Sequence, residues 1–253
     1  NFMHCMQCAG NQFFNVQGKH TYILAGYPWF KCRARDLFVS LPGLTLSQGH
    51  VDEFEKVMRT ACIAVDDFIA GRVSECKIYE MEHPDVLLWC VWALQQYAKE
   101  CSLEACRDKY GDLLMRIYNY VRNNNHSNLR VTQNGLLATN GRDKAVTWMN
   151  STVNGRPVVQ RTGYVVEINA LWYNALKFIE EMAVLMKNEE VQSSLVRLIA
   201  LVGKAFTEVF LNEYGYLYDY VDGDYVDWSV RPNMIFAVAL DYSPLDSKQK
   251  KKV

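Results

Sequence analysis

The sequence predicts an all-helical fold built from paired helices packed in layers, and two observations carry that prediction. Apolar residues recur every three or four positions over much of the chain, which is the pattern of a helix with one buried face. Few segments show the strict alternation of apolar and polar residues that a half-buried strand requires. Long amphipathic helices that follow one another favour packing in pairs.

Start and stop signals bound the predicted helices. Gly71 ends the helix that begins near His50, and Pro84 suits a helix start because its missing N–H would be unpaired there. Ser102 is a suitable N-cap for the next helix. The predicted helices cover about residues 2–14, 35–44, 50–70, 84–97, 102–121, 167–186 and 190–210, with short ones after Pro232 and in the basic run 248–253.

Length, composition and charge narrow the function. The chain has 253 residues, half of them apolar, which suffices for one sizeable core and one domain over 1–253. With 27 basic and 28 acidic residues it lacks the basic excess of a nucleic-acid-binding protein. The sequence contains no run of 18 apolar residues, so it predicts no membrane span. A neutral partner such as a sugar fits better, and the six Trp and fifteen Tyr suit stacking on sugar rings.

The eight cysteines do not predict a metal site. Cys62 and Cys90 lie in apolar helical patterns, as buried free thiols do. Cys5 and Cys8 have the spacing of half a zinc site, but neither a second such pair nor a close pair of histidines completes it. We expect neither a metal nor a cofactor.

Three long loops, 17–34, 126–166 and 212–231, are rich in Trp, Tyr, Arg, Gly and Asp. Long loops inside a compact domain are usually functional or disordered, and this composition is not that of a disordered segment. The first loop carries Tyr27-Pro28-Trp29 and leads to Arg35-Asp36 at a helix start. Such a pair can bind several sugar hydroxyls, but a helix-start aspartate beside a solvated arginine is an equally good interpretation.

The second loop carries Trp148-Met149-Asn150 and Arg161, and Glu167 follows at a helix start. Glu167 could act in the site or only support the helix dipole. The third loop carries Asp227 and then Arg231-Pro232-Asn233. Its acids Asp222, Asp224 and Asp227 suggest calcium, but the downstream glutamate of a calcium loop is absent, so a sugar site is preferred.

Glycoside hydrolysis needs two carboxyl groups on opposite sides of a sugar. Asp36, Glu167 and Asp227 lie in or beside the three loops and are the candidates. The five histidines lie singly, and no glycine-rich phosphate loop is present.

Segments at about 25–46, 147–176 and 230–245 closely resemble the amylo-alpha-1,6-glucosidase domain of glycogen debranching enzymes. They read AGYPWF…RARDLFVSLPGLTL, TWMN…NGRPV…RTGYVVEINALWYNAL and VRPNMIFAVALDYSPL, in the order of the family. The resemblance implies an (α/α)6 toroid with its site in loops at one end. It also implies hydrolysis, with inversion, of α-1,6-linked glucose at trimmed branch points of glycogen or another branched α-glucan, in the cytoplasm.

The resemblance also implies roles for individual residues. Arg35 and Asp36 would bind the terminal glucose, although Ala34 stands where the family has glycine. The remaining substrate-binding candidates by this resemblance are Tyr27, Trp29, Trp148, Arg161, Arg231 and Asn233. Glu167 matches a carboxylate of the family, and an inverting reaction would place the acid and base roughly 6.5–9.5 Å apart to admit a water. Asp227 is the candidate for the base within these residues.

Two departures from the family pattern bear on catalysis. Asn150 stands where many members have an aspartate, the expected general acid, and an amide cannot give up a proton at neutral pH. Glu167 could donate instead, or the protein could bind α-glucan without cleaving it, or the residue could have been altered. The chain also lacks the family's later Gly-Thr-Val-Trp-Pro-Trp segment, so we expect an incomplete toroid and a general base that could lie outside these residues.

Overall fold

A computed structural model describes residues 2–253, without the side chain of Met3, and it is predominantly helical. Nine α-helices lie within the described residues, which confirms a predominantly helical chain, although nine short strands accompany them and the chain is not all-helical. The chain forms two compact units. The first unit comprises the chain up to residue 82 together with residues 89–113, and the second comprises residues 83–88 and 114–253. A single domain over 1–253 stays a prediction.

The first unit packs a hairpin against helices. It contains α1 (Phe2–Asn11), β1 (Phe14–Gln17), β2 (His20–Ile23), α2 (Ala34–Leu44) and α3 (Val51–Ile69). β1 and β2 pair antiparallel, with Phe14 opposite Ile23 and Gln17 opposite His20. β2 packs against α3, where the Thr21 N–H donates to Thr60 Oγ1 over 2.9 Å. Residues 89–113 add the greater part of α4 (Val86–Glu100) and the start of α5 (Leu103–Arg122).

Two of the sequence signals act as predicted. Ser102 Oγ accepts from the Ala105 N–H over 3.0 Å, so Ser102 caps α5. Cys90 is buried, and burial raises the pKa of its thiol well above the usual value. Cys62 is only half-buried.

The core of the second unit is the pair α6 (Val166–Leu185) and α7 (Glu189–Phe210). α6 is buried around most of its circumference and includes Trp172, one of the largest fully buried side chains. Asn188 caps α7 by accepting from the Val191 N–H over 3.1 Å. The 3-10 turn Pro232–Met234, α8 (Ile235–Ala239) and α9 (Ser247–Lys250) follow.

Short strands in the second unit were not predicted. β3 (Arg130–Val131), β4 (Leu137–Thr139), β7 (Gly163–Val165), β8 (Tyr220–Asp222) and β9 (Tyr225–Val226) form an antiparallel sheet in that order. β5 (Thr152–Val153) and β6 (Arg156–Pro157) form a separate hairpin. Because β7 pairs with β8, the sheet joins the predicted loops 126–166 and 212–231.

Gly163 allows β7 to lie very close to β8. Its φ of +82° is a conformation that glycine adopts without strain. A Cβ at this position would stand 2.3 Å from the backbone oxygen of Val221. The pairing of the two strands therefore depends on the absence of a side chain at residue 163.

No helix within residues 2–253 combines the length and the apolar character needed to cross a membrane.

Candidate functional site

A buried cluster of charged side chains lies in the second unit, centred on Arg161. Arg161 stands just before β7 and is 2% exposed. Its Nη1 and Nη2 donate to the two carboxylate oxygens of Glu167, and its Nε and Nη2 donate to Asp219 over 2.8 and 2.9 Å. Nη1 also donates to Thr147 Oγ1 over 3.1 Å. All three guanidinium nitrogens are thereby committed to protein acceptors.

Asp219 is the second centre of the cluster and is 1% exposed. Besides Arg161, it accepts from Arg231 Nη1 over 2.8 Å and from Asn233 Nδ2 over 2.7 Å. Its backbone oxygen accepts from the Val166 N–H, and its own N–H donates to the Asp227 oxygen. Asp219 therefore ties the start of α6 to the loop that carries Arg231 and Asn233.

Asp227 is connected to the cluster through Arg231, whose Nη1 donates to its carboxylate over 3.1 Å. The Ser229 N–H donates to the same oxygen over 2.8 Å. Burial raises the pKa of Asp227, but the bonds from Ser229 and the charge of Arg231 outweigh it and hold the pKa below its ordinary value. The Asp227 side chain, 9% exposed, is therefore ionised at neutral pH.

Asn233 connects the cluster to the loop that carries Trp148-Met149-Asn150. Its Oδ1 accepts from Trp148 Nε1 over 2.8 Å, while its Nδ2 lies 3.3 Å from Met149 Sδ. Asn233 is 1% exposed, whereas Trp148 is 49% exposed. The Asn150 N–H donates to the Trp148 oxygen over 2.9 Å, and Asn150 itself is exposed. A buried amide thus orients a solvent-facing tryptophan.

The charges in the cluster do not balance when every group is ionised, because three carboxylates share two arginines. Burial opposes the charge of Arg161, but Glu167 and Asp219 outweigh it and raise its pKa, so the guanidinium stays protonated. Burial raises the pKa of the Glu167 carboxyl, and Arg161 offsets that only in part. Glu167 therefore differs from Asp227, because in Glu167 burial outweighs the neighbouring positive charge and the pKa is raised.

The predicted site residues of the first unit lie in a different environment. Tyr27 and Trp29 are 64% and 82% exposed on the loop before α2. Asp36 is exposed in the first turn of α2, where the helix dipole favours a carboxylate, whereas Arg35 is buried. The structure therefore joins Arg161, Glu167, Asp227, Arg231, Asn233 and Trp148 by hydrogen bonds within the second unit, and it places Tyr27, Trp29, Arg35 and Asp36 in the first.

Asp219 is the site residue that sequence reasoning missed. It lies in the loop 212–231, but three other acids follow it there, and sequence alone gives no reason to choose among them. In the sequence, Asp219 differs from those three acids in having a tyrosine on each side, Tyr218 and Tyr220. Of the acids considered for calcium, Asp222 pairs with Arg142 over 3.2 Å and Asp227 with Arg231.

Among residues 2–253, no group of three or more His, Cys, Asp or Glu side chains is arranged to hold a metal ion.

Comparison with known proteins decides the family. The amylo-alpha-1,6-glucosidase family matches residues 8–253. The chain belongs to this family of glycogen debranching enzymes. No curated protein matches the chain. The members of this family act on glycogen.

Proposed function

We propose that this chain is a glycoside hydrolase that removes α-1,6-linked glucose from trimmed branch points of glycogen or a similar α-glucan, with inversion and without a cofactor. The proposed framework is an (α/α)6 toroid. The observation that best supports the proposed hydrolysis is the series of hydrogen bonds from Asp219 through Asn233 to Trp148. These hydrogen bonds orient the exposed ring of Trp148 beside Asn150, where many members of the family have the aspartate expected to be the acid.

Asp227 is the proposed general base. An inverting hydrolase needs a carboxylate that accepts a proton from the attacking water as the water oxygen bonds to the anomeric carbon. The lowered pKa of Asp227 keeps it ionised for that step. Arg231, which bonds both Asp219 and Asp227, holds the carboxylate in place.

The contacts of Glu167 favour a positioning role over proton donation. Both of its oxygens accept from Arg161, and its side chain is 2% exposed. A proton donor must come within hydrogen-bond reach of the leaving oxygen. We propose that Glu167 instead orients Arg161, and through it Asp219.

The leaving oxygen must gain a proton as the glycosidic bond breaks, and Asn150 cannot supply one. In the unsubstituted chain a solvent water would give that proton, and the hydroxide left behind would take back the proton held by Asp227, so cleavage would be slow. Asn150→Asp places a carboxyl group at an exposed position beside Trp148. We expect it to raise glucose release from a limit dextrin that carries single α-1,6 glucosyl stubs by about 10²-fold or more, the usual contribution of a positioned acid.

Asn154→Asp is the matched control for this substitution. It adds the same charge four residues away, at an exposed hairpin position. Equal rates for Asn150→Asp, Asn154→Asp and the unsubstituted chain, all above background, would contradict the assignment of residue 150 to the acid position.

The amide at Asn150 also supports a second candidate, a non-catalytic α-glucan-binding protein on the same fold. Under this alternative the unsubstituted chain binds malto-oligosaccharides but releases no glucose, and Asn150→Asp creates activity. Glucose release by the unsubstituted chain that Asp227→Asn abolishes, with the fold intact by circular dichroism, would exclude it.

A further inference from the structure

The first unit contains a cleft of about 410 Å³ that none of the proposed catalytic residues lines. We call it the hairpin cleft, because residues of β1 and β2 and the end of that hairpin line one side of it. Its volume lies at the lower end of the range of ligand sites, roughly 300–1,000 Å³. Tyr27 lines it, but Trp29, Arg35 and Asp36 do not.

Amide side chains of the hairpin line the cleft. Asn15 and Gln17 are two positions apart on β1, so they project from the same face of the strand. Tyr22 is the residue opposite Asn15 in β2 and therefore shares that face. Amide side chains both donate and accept, as sugar hydroxyls do, and so they can match a ring of hydroxyls.

Aromatic rings line other parts of the cleft. Tyr27, Phe30 and Tyr79 are 64%, 51% and 42% exposed. The backbone at Gly26 holds Phe30 closely, since a Cβ there would stand 2.7 Å from the ring. The guanidinium of Arg33 lies 4.9 Å from the centroid of the Phe30 ring. A ring held in this way loses little freedom when a ligand packs against it.

The charged groups of the cleft suit binding and not hydrolysis. Its lining includes Lys31 and Lys77 but no carboxylate. Lys31 Nζ lies 5.3 Å from the centroid of the Tyr79 ring. The backbone N–H of Lys77 donates to Tyr22 Oη over 3.3 Å. Within the described residues neither lysine side chain forms an ion pair. Without a carboxylate, the cleft has no acid or base pair for glycoside cleavage.

We infer that the hairpin cleft is a non-catalytic binding site for a segment of α-linked glucan. The aromatic rings would cover the apolar faces of the sugars, while Asn15, Gln17 and the two lysines would bond the hydroxyls. The choice of an α-linked glucan as the ligand rests on the proposed function, whereas the inference that the cleft binds a ligand rests on its lining side chains. Such a site would hold one arm of a branched substrate independently of the bond that is cleaved.

Lysine acetylation with mass spectrometry tests this inference, with maltoheptaose as the probe. At a probe concentration about ten times the dissociation constant, we expect acetylation of Lys31 and Lys77 to slow by about tenfold, because the reagent reaches only the free fraction. Lys56 and Lys204 are exposed outside the cleft and should react at unchanged rates. Cellohexaose, a β-linked glucan, should protect neither pair.

Substitution gives an independent measurement. Tyr79→Ala should weaken maltoheptaose binding to the chain by about tenfold, the size expected for one stacking ring. Tyr225→Ala removes an exposed ring of the second unit, 56% exposed against 42% for Tyr79, and is the matched control. Unchanged circular dichroism shows that each variant is folded.

The outcomes separate this inference from the proposed function. Protection of Lys31 and Lys77 without glucose release supports the cleft and counts against hydrolysis. Glucose release without protection overturns the cleft and leaves the hydrolase proposal standing. Equal protection by cellohexaose overturns the α-glucan assignment, and equal protection by inorganic phosphate shows an anion site instead.

Discussion

The predicted sugar-binding residues of the two units are held by different physical means. In the first unit, Tyr27 and Trp29 stand largely in solvent on the loop between β2 and α2. In the second, Trp148 is held through Asn233 by charged groups that are almost fully buried. Removing an exposed ring removes only a contact surface, whereas removing a buried charge leaves its partners without compensation.

This difference teaches how to separate binding from stability in the chain. An exposed residue of the first unit's loop, such as Trp29, can be changed with its effect on the fold kept small. A residue of the buried cluster cannot, so a loss of activity there carries no information on its role unless the unfolding free energy is measured as well.

The largest effect is expected at Asp219. Asp219→Asn takes away the carboxylate that faces Arg161, Arg231 and Asn233. We expect the free energy of unfolding in urea to fall by about 3–5 kcal/mol, the usual cost of breaking a buried ion pair. Asp224→Asn, at an exposed position of the same loop, should leave it nearly unchanged. Similar values for the two variants would show that the cluster does not stabilise the unit.

An intermediate and pH-dependent effect is expected at Asp227. Its folded pKa lies below its ordinary value of 3.8, so its ionised form stabilises the fold above that pH and the contribution is lost as the pH falls through the lower, folded pKa. At pH 7, Asp227→Asn should lose about 1.5–3 kcal/mol, as for a hydrogen bond to a charged group.

Urea unfolding of both proteins as the pH is lowered checks this expectation. The difference in unfolding free energy should be constant near neutral pH and shrink in acid. A difference that grew as the pH fell would contradict the assigned direction of the pKa shift.

The smallest effect on stability is expected at Trp29. Trp29→Ala should change the unfolding free energy by no more than about 0.5 kcal/mol, since the ring is 82% exposed. Binding of malto-oligosaccharide, measured by calorimetry, should nevertheless weaken. Val73→Ala, at a fully exposed position of the same unit, should alter neither quantity. A stability loss like that of Asp219→Asn would remove the contrast between the two units.

The helices could be predicted because their signals are local. The predicted helix at 190–210 matches α7, Glu189–Phe210, and the Ser102 cap is present as predicted. A repeat of three and four residues over some twenty positions leaves few alternative structures. The toroid itself depends on how the helices are arranged in space, and it stays a prediction.

The sheet and the cluster could not be predicted because both depend on distant pairing. Each strand of the five-stranded sheet is two or three residues long, too short for an alternating pattern to appear. Arg161 and Asp219 are 58 positions apart, and only the pairing of β7 with β8 brings their segments together. Sequence therefore identified Arg161, Glu167 and Asp227 as candidates but not the residue that joins them.

The close approach at Gly163 bears on which sequences this family member can tolerate. The residue has no side chain and no chemistry of its own, yet even a methyl group would meet the Val221 oxygen and push apart the strands that flank Arg161 and Asp219. Inherited variation at this glycine should be as restricted as at the buried acids. A scan of all single substitutions, selected for folded protein, should rank Gly163 beside Asp219 among the least replaceable positions.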